Sequence, residues 1–200
     1  MLKLQYTNLF PEAGCDEAGR GCLAGPVVAG AVILDPSNPI EGLNDSKKLS
    51  KKKREQLAIE IKNKALAWAI GEVDHKEIDT INILNASFLA MHRAVDKLNV
   101  LPLVLLIDGN RFNKYKDVPH ECIIKGDGKV ACIAAASILA KTYRDALMDD
   151  YDKEFPGYSW TTNAGYPTKK HREAIAKLGV TKIHRLTFQL LVKQIEIFDK

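Results

Sequence analysis

An α/β fold in one domain is what the sequence predicts, on three observations. Residues 27–34 and 103–107 are short, unbroken apolar runs, the pattern of strands covered on both faces. Around them lie longer segments in which apolar residues return at helical spacing, so strand and helix alternate along the chain. Finally, 46% of the 200 residues are apolar, enough for one core, and no repeat, low-complexity tract or long linker marks a domain boundary.

The elements follow in order. Apolar residues on either side of Asp16 and Glu17 favour an N-terminal hairpin whose second strand is 27–34, ended by the turn-forming Asp35-Pro36-Ser37-Asn38-Pro39. Ser50 can cap a helix over 51–64, and residues 67–73 alternate weakly as a strand does. Ile78, Ile81, Leu84, Phe88, Met91, Val95 and Leu98 predict one long amphipathic helix over 78–98 that stops before Pro102. Residues 103–107 then form a central strand with Asp108 at its C-terminal end. A further strand at 121–124 runs into Lys125-Gly126-Asp127-Gly128, and the Ala-rich segment from 130 to about 149 has high helix propensity and side chains small enough for close packing. Residues 158–167 are turn-rich, after which Thr168 caps a helix over 169–178 that Gly179 stops. Phe188, Leu191, Val192, Ile195 and Phe198 predict a last amphipathic helix, part of a helical extension at about 180–200.

Composition narrows the function classes. The N-terminus lacks the apolar core of a signal peptide, and no apolar run approaches the roughly 20 residues that span a bilayer, so neither secretion nor a membrane is expected. Cys15, Cys22, Cys122 and Cys132 form no CxxC pair and read as reduced thiols of a cytoplasmic protein. Lys and Arg exceed Asp and Glu by 29 − 25 = 4, which permits a polyanionic partner without demanding one. Much of the basic charge falls together, at Lys47, Lys48, Lys51, Lys52, Lys53 and Arg54. That run fits either a solvated helix start or a phosphate-facing patch, and alone it does not choose.

The carboxylates are more informative. Asp16 and Glu17 are adjacent anions beside buried strand sequence, where repulsion and lost hydration call for a cation. Neighbouring side chains on a regular strand point to opposite faces, so the two share a site only where the strand ends, bulges or bends, and Gly19 and Gly21 supply that freedom. If this strand neighbours the one ending at Asp108, three carboxylates converge, with Asp127 as a fourth oxygen donor. Taken singly, Asp108 before Gly109 and Asp127 before Gly128 read as ordinary turn residues, and it is the combination that points to a site. An all-oxygen set without accompanying Cys or His favours a hard ion, magnesium or manganese, over zinc.

Cys15-Asp16-Glu17-Ala18-Gly19-Arg20-Gly21, followed by Ala24-Gly25-Pro26-Val27-Val28-Ala29, resembles the opening signature of bacterial ribonuclease HII, a type 2 ribonuclease H. The resemblance continues through Asn44-Asp45-Ser46-Lys47-Lys48-Leu49, Ile107-Asp108-Gly109-Asn110 and Lys125-Gly126-Asp127. It extends over Ala134-Ala135-Ala136-Ser137-Ile138-Leu139-Ala140-Lys141, Arg144-Asp145, Gly165-Tyr166-Pro167-Thr168-Lys169 with His171, and His184-Arg185. It implies one type 2 ribonuclease H domain over 1–200, a ribonuclease H-like mixed β-sheet flanked by helices with the helical extension behind it. It also implies cleavage of RNA paired with DNA and incision at ribonucleotides embedded in duplex DNA. The matched positions make Asp16, Glu17, Asp108 and Asp127 the catalytic acids that hold Mn2+ or Mg2+. Gly19-Arg20-Gly21 becomes the segment that reads the ribonucleotide 2′-hydroxyl in the minor groove, Tyr166 the ring stacked on the adjacent deoxyribose, and Lys47 and Lys48 phosphate contacts. No obligate protein partner is implied, and the chain is expected to act as a monomer. Cys22, where the family often has Pro, and Thr187, where it usually has Ser, depart from the pattern and are not expected to touch the metal chemistry. Asp145 is expected to act structurally or in support of the ligands, and His171 and His184 to sit at the surface or pack against helices, with proton shuttling or phosphate contact as the alternatives.

Overall fold

The computed structural model describes residues 2–191. Strands β1 (Glu12–Ala18), β2 (Val27–Ile33), β3 (Ala67–Val73), β4 (Val104–Asp108) and β5 (His120–Ile123) form one mixed sheet in the order β3-β2-β1-β4-β5. The three strands on one side make an antiparallel meander, while β4 and β5 add to β1 in parallel. Parallel neighbours need long crossovers: three helices lie on the path from β1 to β4, the 109–119 loop joins β4 to β5, and three more helices follow the sheet. In chain order the helices are α1 (Lys51–Lys64), α2 (His75–Ile81), α3 (Ile83–Asp96), α4 (Ala131–Glu154), α5 (Trp160–Asn163) and α6 (Lys169–Leu178).

Each face of the sheet has its own core, which is why β2 is buried along its whole length. Ala13, Cys15, Ala29, Ala31, Leu105 and Ile107 meet Ala86, Ala90, Met91 and Ala94 of α3. Val32, Val104 and Leu106 meet Ile133, Ala135 and Ala136 of α4, on which Leu57 and Ile61 of α1 also pack. The Ala-rich run of α4 exists for contact at backbone distance. A Cβ added at Gly14 would lie 2.2 Å from the Cys132 carbonyl carbon, and one at Gly30 would lie 2.5 Å from the Ala136 carbonyl oxygen. Gly14→Ala must therefore push β1 and α4 apart, and it is expected to cost about 3 kcal/mol. The check is a lower urea midpoint at unchanged slope.

The capping chemistry holds at α1, where Ser50 accepts from the Lys53 N–H, and at α6, where Thr168 accepts from the His171 N–H. The single helix predicted over 78–98 is instead two. Asn82 adopts φ 65° and its side chain accepts from the N–H groups of Leu84 and Asn85, so it ends α2 and caps α3 while the apolar stripe runs on across the break. Helix α4 reaches Glu154, beyond the predicted end near 149, and stops before Pro156, which bars αR backbone at Phe155. The helical C-terminal region consists of α4, α5 and α6. Residues 180–191 follow as turns and irregular backbone, and 192–200, on which most of the last predicted helix falls, lie outside the described residues. A small third core under this region joins Leu23, Ala24, Met148, Tyr158, Trp160, Ile175 and Ile183.

Candidate active site

The parallel pairing of β1 with β4 ends at Cys15↔Ile107, so the next residue on each strand, Asp16 and Asp108, stands at the same end of the sheet on neighbouring strands. Asp16 and Glu17 share this end with no bulge, since the pairing of β1 with β2 continues through Ala18↔Val28. It is the termination of β1 at Ala18 that lets alternate-facing side chains open on one space. Asp16 lies on the α4 face and accepts from the Glu17 N–H at 2.7 Å. Asp108 accepts from the Gly126 N–H at 2.6 Å, which fastens the β4 end to the turn carrying Asp127.

The electrostatics are those of an under-neutralised anion cluster. Burial holds the Asp16 carboxyl well above the ordinary carboxylate range, and the charges of Glu17 and Asp108 add to it. Burial also raises Glu17, against the pull of Arg20, whose guanidinium is 3.4 Å away, and Asp108 raises it further. Asp127 is raised by burial, then by Asp108 and Asp45. Lys47 responds in the opposite sense: burial opposes its charge, yet Asp16, Asp127, Asp45 and Asp108 together hold its ammonium pKa above the usual value. Among the described residues, no three acid, His or Cys side chains are drawn into a ready-made ligand cage.

A cavity of about 600 Å³ opens at this end of the sheet. Asp16, Glu17, Gly19, Arg20, Gly21, Lys47 and Tyr166 line it, as do Ser46, Arg54, Ser137 and Lys141, which were not singled out as site residues. Asp108 and Asp127 stand outside this lining and are tied to it through charge. Lys48 is exposed at the end of the 46–48 turn and does not line the cavity. Ser46 and Ser137 hydroxyls lie 2.9 Å apart and join the Lys47 turn to α4. The signal for Ser137 and Lys141 was present: polar residues four apart in an Ala-rich helix share a face. Asp145, one turn further, bridges Lys141 and Arg54, a supporting position away from the acids.

His171 and His184 lie elsewhere. Their Nε2 atoms are 3.4 Å apart and Trp160 Nε1 donates to His171 Nε2 at 2.9 Å, all within the third core. Burial lowers both pKa values, to about 4 for His184. Neutral, they brace the 158–184 region. No described helix is long and apolar enough to cross a membrane, and all four cysteines are free thiols.

The fold has counterparts among solved structures. The ribonuclease H2 of Pyrococcus horikoshii superposes with a TM-score of 0.74 at 27% identity, over 90% of this chain and 94% of that one. Ribonuclease HII of Archaeoglobus fulgidus, solved in complex with PCNA, superposes with a TM-score of 0.76 at 25% identity, over 94% and 100%. The fold is thus ribonuclease H-like, and the chain is a hydrolase of the ribonuclease H class. At the sequence level the profile of the family described as Ribonuclease HII matches residues 13–191. A relative named ribonuclease HII in Bacteroides thetaiotaomicron is 65% identical over 94% of each chain, and one in Christiangramia forsetii is 57% identical over 96% and 97%. The chain belongs to the ribonuclease HII family, whose activity is hydrolysis of RNA in RNA–DNA hybrids.

Proposed function

We propose that the chain is a divalent-metal-dependent endonuclease that cuts the RNA strand of RNA–DNA hybrids and also incises duplex DNA on the 5′ side of embedded ribonucleotides, leaving 3′-hydroxyl and 5′-phosphate ends. The observation that carries this reading is one cavity holding both the Asp16-Glu17 pair and the Gly19-Arg20-Gly21 loop, with Tyr166 across from it.

The donor set supports the metal. Asp16, Glu17, Asp108 and Asp127 offer only oxygen, and their raised pKa values at Asp16, Glu17 and Asp127 mark a cluster that a hard cation would relieve. These four acids would hold Mn2+ or Mg2+, which supply an activated water for in-line attack and a counter-charge for the leaving 3′-oxygen. No protein nucleophile is needed. Lys47, kept protonated by the acids around it, faces the cavity where a phosphate would lie, whereas Lys48 would meet the duplex further out.

Recognition falls to the loop. Gly21 has room in front of it, its nearest neighbour across the cavity being Tyr166 Cε1 at 3.9 Å from a built Cβ, so backbone groups can approach a sugar closely. The 2′-hydroxyl is the local feature that separates RNA from DNA there. Tyr166, 39% exposed, offers its ring to the adjacent deoxyribose. A monomer suffices for this arrangement, since every proposed group comes from one chain.

Tyr166→Ala is expected to lower kcat/KM on a duplex carrying one ribonucleotide by about tenfold, the scale of a lost stacking contact. On a long hybrid the loss should be smaller, because many registers are productive. Equal losses on both substrates would remove Tyr166 from junction recognition. Metal dependence is tested by adding chelator, then Mn2+ or Mg2+: turnover should vanish and return, and turnover that survives chelation would overturn the reading.

A further inference from the structure

Arg144 on α4 and Arg185 in the C-terminal segment are both fully buried, and the hydrogen bonds they make go to backbone carbonyls rather than carboxylates. Arg144 donates through Nε to Pro26 O at 2.9 Å, through Nη1 to Ala164 O at 2.7 Å and through Nη2 to Ala24 O at 3.0 Å. Arg185 donates through Nε to Gly25 O at 3.0 Å and through Nη1 to Arg20 O at 3.1 Å, while its Nη2 has no partner among the described residues. Burying a guanidinium is costly, and bonds to neutral carbonyls offset that cost only when several converge. Here they converge from segments far apart in sequence: the loop at Arg20, the strand entry at 24–26, and Ala164 two residues before Tyr166.

The glycines around Arg144 are shaped to it. A Cβ at Gly19 would lie 2.0 Å from Arg144 Nε, and Cβ atoms at Gly25 and Gly165 would each lie 3.5 Å from its Nη2. All three glycines have left-handed φ, at 93°, 80° and 80°. The backbone coils around the guanidinium, and Leu23 N donates to Gly165 O at 2.8 Å to close the unit.

We infer that Arg144 and Arg185 are positioning residues that join the Gly19-Arg20-Gly21 loop and the Tyr166 loop into one rigid unit, fixing the gap into which a single ribonucleotide must fit. This rests on the proposed roles of those two loops. Its consequence is selective. A duplex with one ribonucleotide offers one productive register, so a displaced loop forfeits it, whereas a long hybrid presents a 2′-hydroxyl at every step. Misplacement near 1 Å is enough to cost about 100-fold in rate.

The test uses the full-length chain and two substrates, a DNA duplex with one ribonucleotide and a long RNA–DNA hybrid. Lysine keeps the charge but not the planar fork that reaches three carbonyls. Arg144→Lys is expected to lower the ratio of kcat/KM on the first substrate to that on the second by tenfold or more. Arg185→Lys is read in the same way. In a Tyr166→Ala background, Arg144→Lys should lower the ratio by less than threefold further, because the two act through one unit. Parallel losses on both substrates, or an unchanged ratio, would overturn the inference, as would unfolding of both lysine variants, which would assign the arginines to stability alone. Wild-type protein that leaves the single-ribonucleotide duplex intact would instead bring down the proposed function itself, and this inference with it.

Discussion

Replacing Asp108 by asparagine is expected to lower turnover of an RNA–DNA hybrid by on the order of 10²–10³-fold, the scale of losing one preorganised electrostatic partner of a transition state. The fold should survive. The asparagine amide retains an oxygen where Asp108 accepts from the Gly126 N–H at 2.6 Å, so the tie between β4 and the Asp127 turn persists. The Asp108 charge also raises the pKa values of Asp16, Glu17 and Asp127, so removing it relieves repulsion among the remaining acids. The urea midpoint should therefore stay level or rise while cleavage collapses. Full activity in Asp108→Asn would contradict the assignment of the acids, and a matching collapse of stability would recast Asp108 as a structural residue.

Gly19→Ala is the second large effect, for a different reason. Its φ of 93° lies in the left-handed region, and its new Cβ would sit 2.0 Å from Arg144 Nε. Backbone strain there costs about 1–3 kcal/mol, and the guanidinium cannot move without breaking its bonds to Pro26, Ala24 and Ala164. The loop must yield, and cleavage of a duplex with one ribonucleotide is expected to fall by about 100-fold. Gly21→Ala supplies the contrast. Its Cβ meets Tyr166 Cε1 at 3.9 Å, an ordinary contact, so stability should hold and any loss of activity reports approach to the sugar. Equal stability losses in the two variants would show that the collision with Arg144 is not what distinguishes Gly19.

Much of the architecture was legible because it is local. Residues 67–73 alternate weakly as a strand does, Ser50 marks the start of 51–64, and Thr168 and Gly179 bracket 169–178; β3, α1 and α6 occupy those spans. The break at Asn82 was hidden because the apolar stripe continues across it, and only the cap formed by its side chain reveals two helices. Within the site, Asp16, Glu17 and Asp108 could be gathered from strand ends, since parallel register puts Asp16 beside Asp108. Ser46 and Ser137, 91 residues apart, meet through tertiary packing that no local pattern announces. The burial of Arg144 and Arg185 has no local signal either. Charged side chains are seldom fully buried, and these two are because carbonyls from distant turns converge on them.

The measurement that bears most directly on the central claim is cleavage of a DNA duplex carrying one ribonucleotide, with the ends mapped and chelator, Mn2+ and Mg2+ compared. One cut on the 5′ side of the ribonucleotide is expected, giving a 3′-hydroxyl and a 5′-phosphate in the presence of metal and nothing with chelator. A cut on the 3′ side, a 2′,3′-cyclic end, or equal cleavage of the all-DNA duplex would contradict it.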